Sequence, residues 1–516
     1  MGSHHFPART VLFERERNGV TYRVPALLYI PRWATLLAFA EERLSADDAH
    51  ANLLVLRRGI FYHNYVEWED MRAVETAVLP GHRSMNPCPI YDEFTGQLFL
   101  FFIAVFGKTT ESYQIITGRN MARLCYVTSS DQGRNWSNVT DLTLQVIGES
   151  IKEWATFALG PGHGIQLKSG RLLVPAYTYY IDCRECFGKL CRTTSRAFAF
   201  HSDDHGQKWK LGELIPNLPS VECQLVSVDE EDGNNVLYCN ARSSLGFRVQ
   251  AMSSDEGIVF QPGQLVEKLV ETPNGCHGSV IGFPAPLGFY TRLYTKINVP
   301  RDLNNYKELA NVLKKQKKMY YIEQLKKYSD YSHQHQSRID SGLYNKHRGE
   351  ILSRKEVCNS SDQLPSTPES STSVMLDGIQ IQTKSLYRTN QQFQTPTWVL
   401  YSHPTSALSR VNLGVYLSPY PRDADSWTGP WVIYEGPSAY SDLAYMELPS
   451  KGIGADASPP VIAFACLYEN GLVSPYEQIS FSIFTLYEVI QSLPPNQPVS
   501  HQGQKKQKMK WDCVAS

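Results

Sequence analysis

Arginine, tyrosine and the carboxylic acids are the residue types through which this chain could hold an anion and break a bond beside it. A guanidinium group is planar, permanently charged and matched to a carboxylate by two parallel hydrogen bonds. A phenol is a neutral nucleophile, but with a pKa near ~10 it needs a neighbouring base. Type alone selects nothing, because the chain has 29 tyrosines and an isolated arginine is ordinarily a solvated surface charge. Two other patterns carry less. Cys183, Cys186 and Cys191 form C-x2-C-x4-C, but zinc takes four ligands and no fourth fits. Ordinary loop thiols are expected there, and no metal. Gly160-Pro161-Gly162-His163-Gly164 is not a phosphate loop, since no Lys-Ser/Thr follows.

The elements that must position such groups are short strands. From Val11 to about Tyr290, apolar runs such as Ala26 to Tyr29, Thr35 to Ala40, Leu98 to Phe106 and Leu172 to Ala176 alternate with turn residues. The pattern resumes at Thr397 to Tyr401 and continues to Thr485. Many short strands at regular spacing predict an all-β sandwich, barrel or propeller. A repeat lies within them. Ser129-Ser130-Asp131-Gln132-Gly133-Arg134-Asn135-Trp136 and Ser202-Asp203-Asp204-His205-Gly206-Gln207-Lys208-Trp209 both read S-x-D-x-G-x-x-W. Ser253 to Phe260 is a weaker copy with Phe in place of Trp. The pattern predicts a hairpin turn in which Asp accepts backbone N–H groups, Gly takes the positive-φ position and the aromatic ring packs beneath.

The stretch from about 286 to 396 differs. Arg301 to Tyr328 has helical spacing and six lysines between Lys314 and Lys327, and a Ser/Thr/Pro run follows. It reads as an insertion between two strands, partly helical or disordered. The expected organisation is a lead over 1–10, one all-β domain over 11–493 carrying the insertion, and a polar basic tail over 494–516. Net charge is −1, which gives no global field for nucleic acid. The 11 cysteines are scattered, and Met1 to Arg9 has no apolar run of the secretory type. Reduced thiols and a location that is not secreted are expected. The lysine run suggests peripheral contact with an anionic membrane, the plasma membrane being the expected location and the cytoplasm, endosome or nucleus the alternatives.

Tyr22-Arg23-Val24-Pro25 is similar to the F/Y-R-I-P signature of sialidases, and the repeated turns resemble their Asp boxes. Glu153 to Phe157, Gly160 to Gly164 and Pro175 to Ile181 resemble the non-secreted animal members, most of all the plasma-membrane-associated ganglioside group. The resemblance covers Val11 to about Leu493 apart from the insertion. It implies a six-bladed β-propeller with its active site at the central channel, and no cofactor. It further implies three arginines on the substrate carboxylate: Arg23, Arg242 and Arg410. Tyr440, in Ala-Tyr-Ser-Asp-Leu, is the implied nucleophile, with Glu222 as its partner. Asp48 is the implied acid/base, with the adjacent Asp47 as the alternative. Glu41, Arg43, Met85, Asn86, Glu111, Tyr177 and Tyr179 are the implied pocket residues. His277 stands where relatives often have Gln, so it is a candidate for altered substrate preference or a neutral surface change.

The implied chemistry is retaining exo-sialidase hydrolysis of gangliosides and other sialylated glycolipids or glycoproteins. Sialidases with a tyrosine nucleophile depart from the two-carboxylate scheme of most glycosidases. The alternative is a non-catalytic propeller that binds sialic acid with the same arginines and does not cleave it.

Overall fold

A computed structural model describes residues 6–62, 65–186, 190–230, 233–286, 395–448 and 460–493. The helix expected over Arg301 to Tyr328, the Ser/Thr/Pro run and the basic tail lie outside the described residues.

The apolar runs form antiparallel strands, and these group in chain order into sheets of four successive strands, the first and third each with one further short strand. The first contains Thr21–Ile30, Thr35–Arg43, Ala51–Tyr62 and Tyr65–Trp68. The second contains His82–Asp92, Gln97–Phe106, Ala122–Ser129 and Thr140–Asp141. The third contains Trp154–Leu159, Leu172–Cys186, Leu190–Ser202 and Lys210–Leu211. The fourth contains Cys223–Asp229, Asn235–Ala241, Phe247–Ser253 and Gln264–Val270. The last two share one long strand, Thr428–Leu448. Its first part pairs with Val411–Ser418, behind which lie Thr397–Pro404 and Ser279–Pro284. Its second part pairs with Val461–Asn470, which leads to Gln478–Thr485 and finally to the N-terminal strand Arg9–Glu14.

Alternating apolar residues leave each sheet with two apolar faces, and consecutive sheets bury them against one another. Leu37 and Phe39 of the first sheet pack with Leu100 and Phe102 of the second. Similar clusters join the second to the third, the third to the fourth and the fourth to the fifth. Phe283 meets Phe464 at 4.9 Å between ring centroids, joining fifth and sixth. Leu12 and Phe13 of the sixth pack with Tyr22 and Leu27 of the first. The succession therefore closes into a ring.

All three repeat turns end the third strand of their sheet and share one hydrogen-bond pattern. The N–H of Gly133, Gly206 or Gly257 donates to the preceding Ser Oγ at 2.9 Å. Asp131, Asp204 and Asp255 accept backbone N–H groups from beyond the glycine. The weaker copy is thus a true third member. The turn is tighter than a single positive-φ glycine, since Gln132, His205 and Glu256 are also left-handed.

The insertion over about 286–396 is rooted on a strand pair, Pro284 lying opposite Thr397. That end of Ser279–Pro284 is remote from His277, which lies beside Tyr440. Cys183 is disulfide-bonded, which corrects the expectation of a loop thiol at that position, whereas Cys191 is a free thiol. Cys88, Cys125, Cys191, Cys223, Cys239, Cys276 and Cys466 are free.

Candidate active site

The first strands of the sheets carry irregularities at one end. Pairing shifts between Arg23 and Ala26, between Met85 and Cys88, and between Ser438 and Ser441. Val24 and Asn86 have φ of 56° and 55°, which is strained for a β-branched residue such as valine. Bulges of this kind re-aim side chains. Here they turn Arg23, Asn86 and Tyr440 toward one cavity of about 420 Å³. Loops supply the rest of the wall. Asp48 lies in the turn between the second and third strands of the first sheet. Glu111 begins a seven-residue helix, and Thr110 caps it by accepting from the Tyr113 N–H at 3.1 Å.

All thirteen residues proposed from the sequence line this cavity: Arg23, Glu41, Arg43, Asp48, Met85, Asn86, Glu111, Tyr177, Tyr179, Glu222, Arg242, Arg410 and Tyr440. At its floor the Tyr440 phenol donates to Glu222 Oε1. Arg242 Nη1 donates to Glu222 Oε2 at 2.6 Å and to the Tyr440 oxygen at 3.0 Å. Burial and the Glu222 carboxylate push the phenol well above its usual pKa, while Arg242 and Arg410 pull the other way. Tyr440 is therefore a neutral phenol at rest. The Arg23 and Arg410 guanidinium carbons stand 5.7 and 5.4 Å from the centre of its ring. Three cations thus surround one phenol, with Arg242 at its hydroxyl and Arg23 and Arg410 beside its ring.

Arg43 bridges the other wall. It donates to Glu41 Oε2 through Nε at 2.8 Å and Nη2 at 2.6 Å, and through Nη1 to Asp48. Glu41 Oε1 accepts the Asn86 N–H at 2.6 Å. Burial would raise the Asp48 pKa, but Arg43 and Arg23 outweigh it and hold the group below its ordinary range. Asp47 is occupied elsewhere, accepting the Ala49 N–H at 2.9 Å, and does not line the cavity. Glu111 accepts from the Tyr177 phenol at 3.2 Å. Burial and the nearby Glu222 charge push its pKa up to about 7, against the pull of that hydrogen bond.

Several functional neighbours escaped the sequence reading. Glu469, fully buried, accepts from Arg23 Nε at 2.7 Å, from the Val24 N–H at 2.8 Å and from the Tyr440 N–H at 3.1 Å. Its only signal is an acid ending an apolar strand run. Tyr476 lies under Arg23 at 3.8 Å and its hydroxyl accepts from Arg410 at 3.1 Å. The Asn274 carbonyl accepts twice from Arg242, at 3.1 and 2.7 Å. One expectation is corrected. His277 is fully buried beside the Tyr440 ring, at 5.4 Å, and is not part of the cavity wall.

A family model described as a BNR repeat-like domain matches residues 34–283. The mouse protein Sialidase-4 is 47% identical over 497 residues, with 96% of each chain covered. Human Sialidase-4 is 46% identical, covering 99% of this chain and all of the relative. The chain belongs to the sialidase family. Its activity class is that of an exo-α-sialidase, a glycoside hydrolase. Human Sialidase-3 is 39% identical with 93% of each chain covered. Identity is thus lower to the membrane ganglioside sialidase than to Sialidase-4, against the leaning read from the sequence. Two solved structures share the fold. Hadza microbial sialidase Hz136 has a TM-score of 0.57 at 17% identity, covering 93% of this chain and 69% of that one. The intramolecular trans-sialidase from Ruminococcus gnavus has a TM-score of 0.54 at 14% identity, covering 96% and 100%. The ring of sheets is accordingly a sialidase propeller of BNR-type repeats.

Proposed function

We propose that this sialidase is a retaining exo-enzyme on a six-bladed propeller, removing terminal sialic acid from gangliosides and other sialoglycoconjugates through a covalent tyrosyl intermediate. The observation that carries this reading is the Tyr440 phenol bonded to Glu222 beneath Arg23, Arg242 and Arg410. The arginines hold the sugar carboxylate, and Tyr440 attacks the anomeric carbon that bears it. A carboxylate nucleophile would approach that centre against like charge, whereas a neutral phenol does not. Glu222 takes the phenol proton as the bond forms. Asp48 protonates the departing oxygen and then, as a carboxylate, activates the water that frees the sugar. Its low resting pKa has a remedy in the same geometry. A substrate carboxylate arriving on the arginines offsets part of the positive field that keeps Asp48 ionised.

Hydrolysis of a fluorogenic sialoside, followed by NMR of the first-released sugar, tests the reading. Release of the α-anomer is expected. Binding of sialic acid without release would favour the lectin alternative, and first release of the β-anomer would exclude a tyrosyl intermediate. Comparing a ganglioside with a sialoglycoprotein under the same conditions sets the substrate class. For location we propose peripheral attachment at the plasma membrane, resting on the lysine run within 301–328. No helix among the described residues is long and apolar enough to cross a membrane. Deleting 301–328 should lower recovery with the membrane fraction, and unchanged recovery contradicts the attachment.

A further inference from the structure

The reacting pair joins two sheets: Glu222 immediately precedes the first strand of the fourth sheet, and Tyr440 lies in the strand shared by the fifth and sixth. Two residues further along each strand stand Gln224 and Asp442, both fully buried. Gln224 Nε2 donates to Asp442 Oδ1 at 2.8 Å. A second pair between the same two sheets therefore follows the first at the same spacing along each chain segment.

This lower pair is the centre of a larger cluster. Asp442 Oδ1 also accepts from His163 Nδ1 at 2.8 Å and lies 2.9 Å from Ser279 Oγ. Asp442 Oδ2 accepts the Leu27 N–H at 2.7 Å. Gln224 is saturated as well. Its Nε2 donates to the Pro161 carbonyl at 3.2 Å, and its Oε1 accepts the Val280 N–H at 3.0 Å and lies 2.6 Å from Ser279 Oγ. Ser279 Oγ in turn accepts the Leu443 N–H at 3.0 Å. The neighbouring Gly164 N–H donates to the Pro89 carbonyl at 2.9 Å, which ties in the second sheet. The Asp442 carboxylate and the Gln224 amide thus link the first, fourth, fifth and sixth sheets with the 160–164 segment, through whose backbone the second sheet is reached. Burial opposes the charge on Asp442, but His163 and the other donors hold its pKa below the ordinary range.

We propose that Asp442, Gln224, Ser279 and His163 form a positioning cluster that fixes the spacing of Tyr440 and Glu222 for reaction. This deepens the sialidase reading and rests on it. None of the four lines the cavity, so they act through the strands that carry the reacting pair. The Tyr440–Glu222 hydrogen bond cannot hold that spacing alone, because its proton moves during the reaction. The cluster has no such duty, and all its strong bonds persist throughout. It also accounts for the glycine-rich run Gly160 to Gly164. A Cβ at Gly162, where φ is +99°, would lie 1.8 Å from Gln224 Nε2 and 2.9 Å from Asp442 Oδ1. Glycine is therefore required for Gln224 to reach its partner.

The test uses the full chain as wild type, Ser279→Ala and Asp442→Asn, each checked for folding by circular dichroism and thermal unfolding. Turnover of a fluorogenic sialoside and the Kd for free sialic acid are measured on each. Both variants should lose roughly 10- to 100-fold in kcat, as for groups that orient catalytic residues. The Kd for sialic acid should stay within about 2-fold, since the arginines are untouched. If Asp442→Asn does not fold, Ser279→Ala decides alone. Unchanged kcat in a folded variant, or a Kd that weakens as far as kcat falls, overturns the proposal while leaving the sialidase reading intact. A wild type without turnover overturns both.

Discussion

At the residue scale, the cavity separates two adjacent acids that sequence could not. Asp48 meets Arg43 at the cavity wall, while Asp47 caps a short turn. Asp48→Asn should therefore lower kcat by about 10²- to 10⁴-fold, and Asp47→Asn should lower it far less. Steady-state kinetics of the two variants checks this, and the reverse order would move the acid/base role to Asp47. Glu111 predicts a pH effect. Its pKa is raised to about 7, so the group is neutral below that pH and a carboxylate above it. An anionic group on the wall opposes an anionic substrate. The wild-type kcat/KM should fall as pH rises through about 7, and Glu111→Gln should flatten that limb. The stability sign follows the same way. Between the ordinary value of 4.5 and about 7 the folded chain keeps a proton that the unfolded chain releases, so the contribution of Glu111 to stability declines across that window. Legibility at this scale followed motif. Arg23 and Tyr440 stood in recognisable runs, whereas Glu469 and Tyr476 touch the arginines and carry no pattern of their own.

At the element scale, the strands and Asp-box turns were legible because their chemistry is local. Serine, aspartate and glycine at fixed offsets satisfy one turn, and even the Phe260 copy obeys the rule. The bulges at Arg23–Ala26 and Met85–Cys88 were not legible, because an extra residue in a strand leaves no compositional mark. The turns also lock the sheets together. A Cβ on Gly206 would come within 2.2 Å of the Phe99 ring in the second sheet, at a φ of +84°. Gly206→Ala should cost about 1–3 kcal/mol of stability through strain and overpacking. Urea unfolding measures it. A midpoint equal to wild type would mean that the turn relaxes freely.

At the scale of the whole molecule, closure of the ring depends on a pairing between the chain's two ends that no local pattern reveals. Arg9–Glu14 completes the sixth sheet by pairing with Gln478–Thr485, and its Leu12 and Phe13 fill the seam to the first sheet. The apolar run near Val11 announced a strand but not its partner. The blade number therefore came from resemblance, and the insertion over about 286–396 masked the fifth sheet by splitting its first two strands. Phe13, 1% exposed, lies at this seam. Phe13→Ala should destabilise the fold by about 3–5 kcal/mol, read from denaturant unfolding. A loss below about 1 kcal/mol would show that closure does not depend on it.

The central claim is that Tyr440 is the nucleophile. A fluorinated sialic acid that slows breakdown of a glycosyl–enzyme bond should leave a covalent adduct, located by peptide mass spectrometry. The adduct is predicted on the peptide containing Tyr440, at the phenol oxygen, and should be absent from Tyr440→Phe. An adduct on Glu222 or Asp48, or an undiminished one in Tyr440→Phe, would contradict the account.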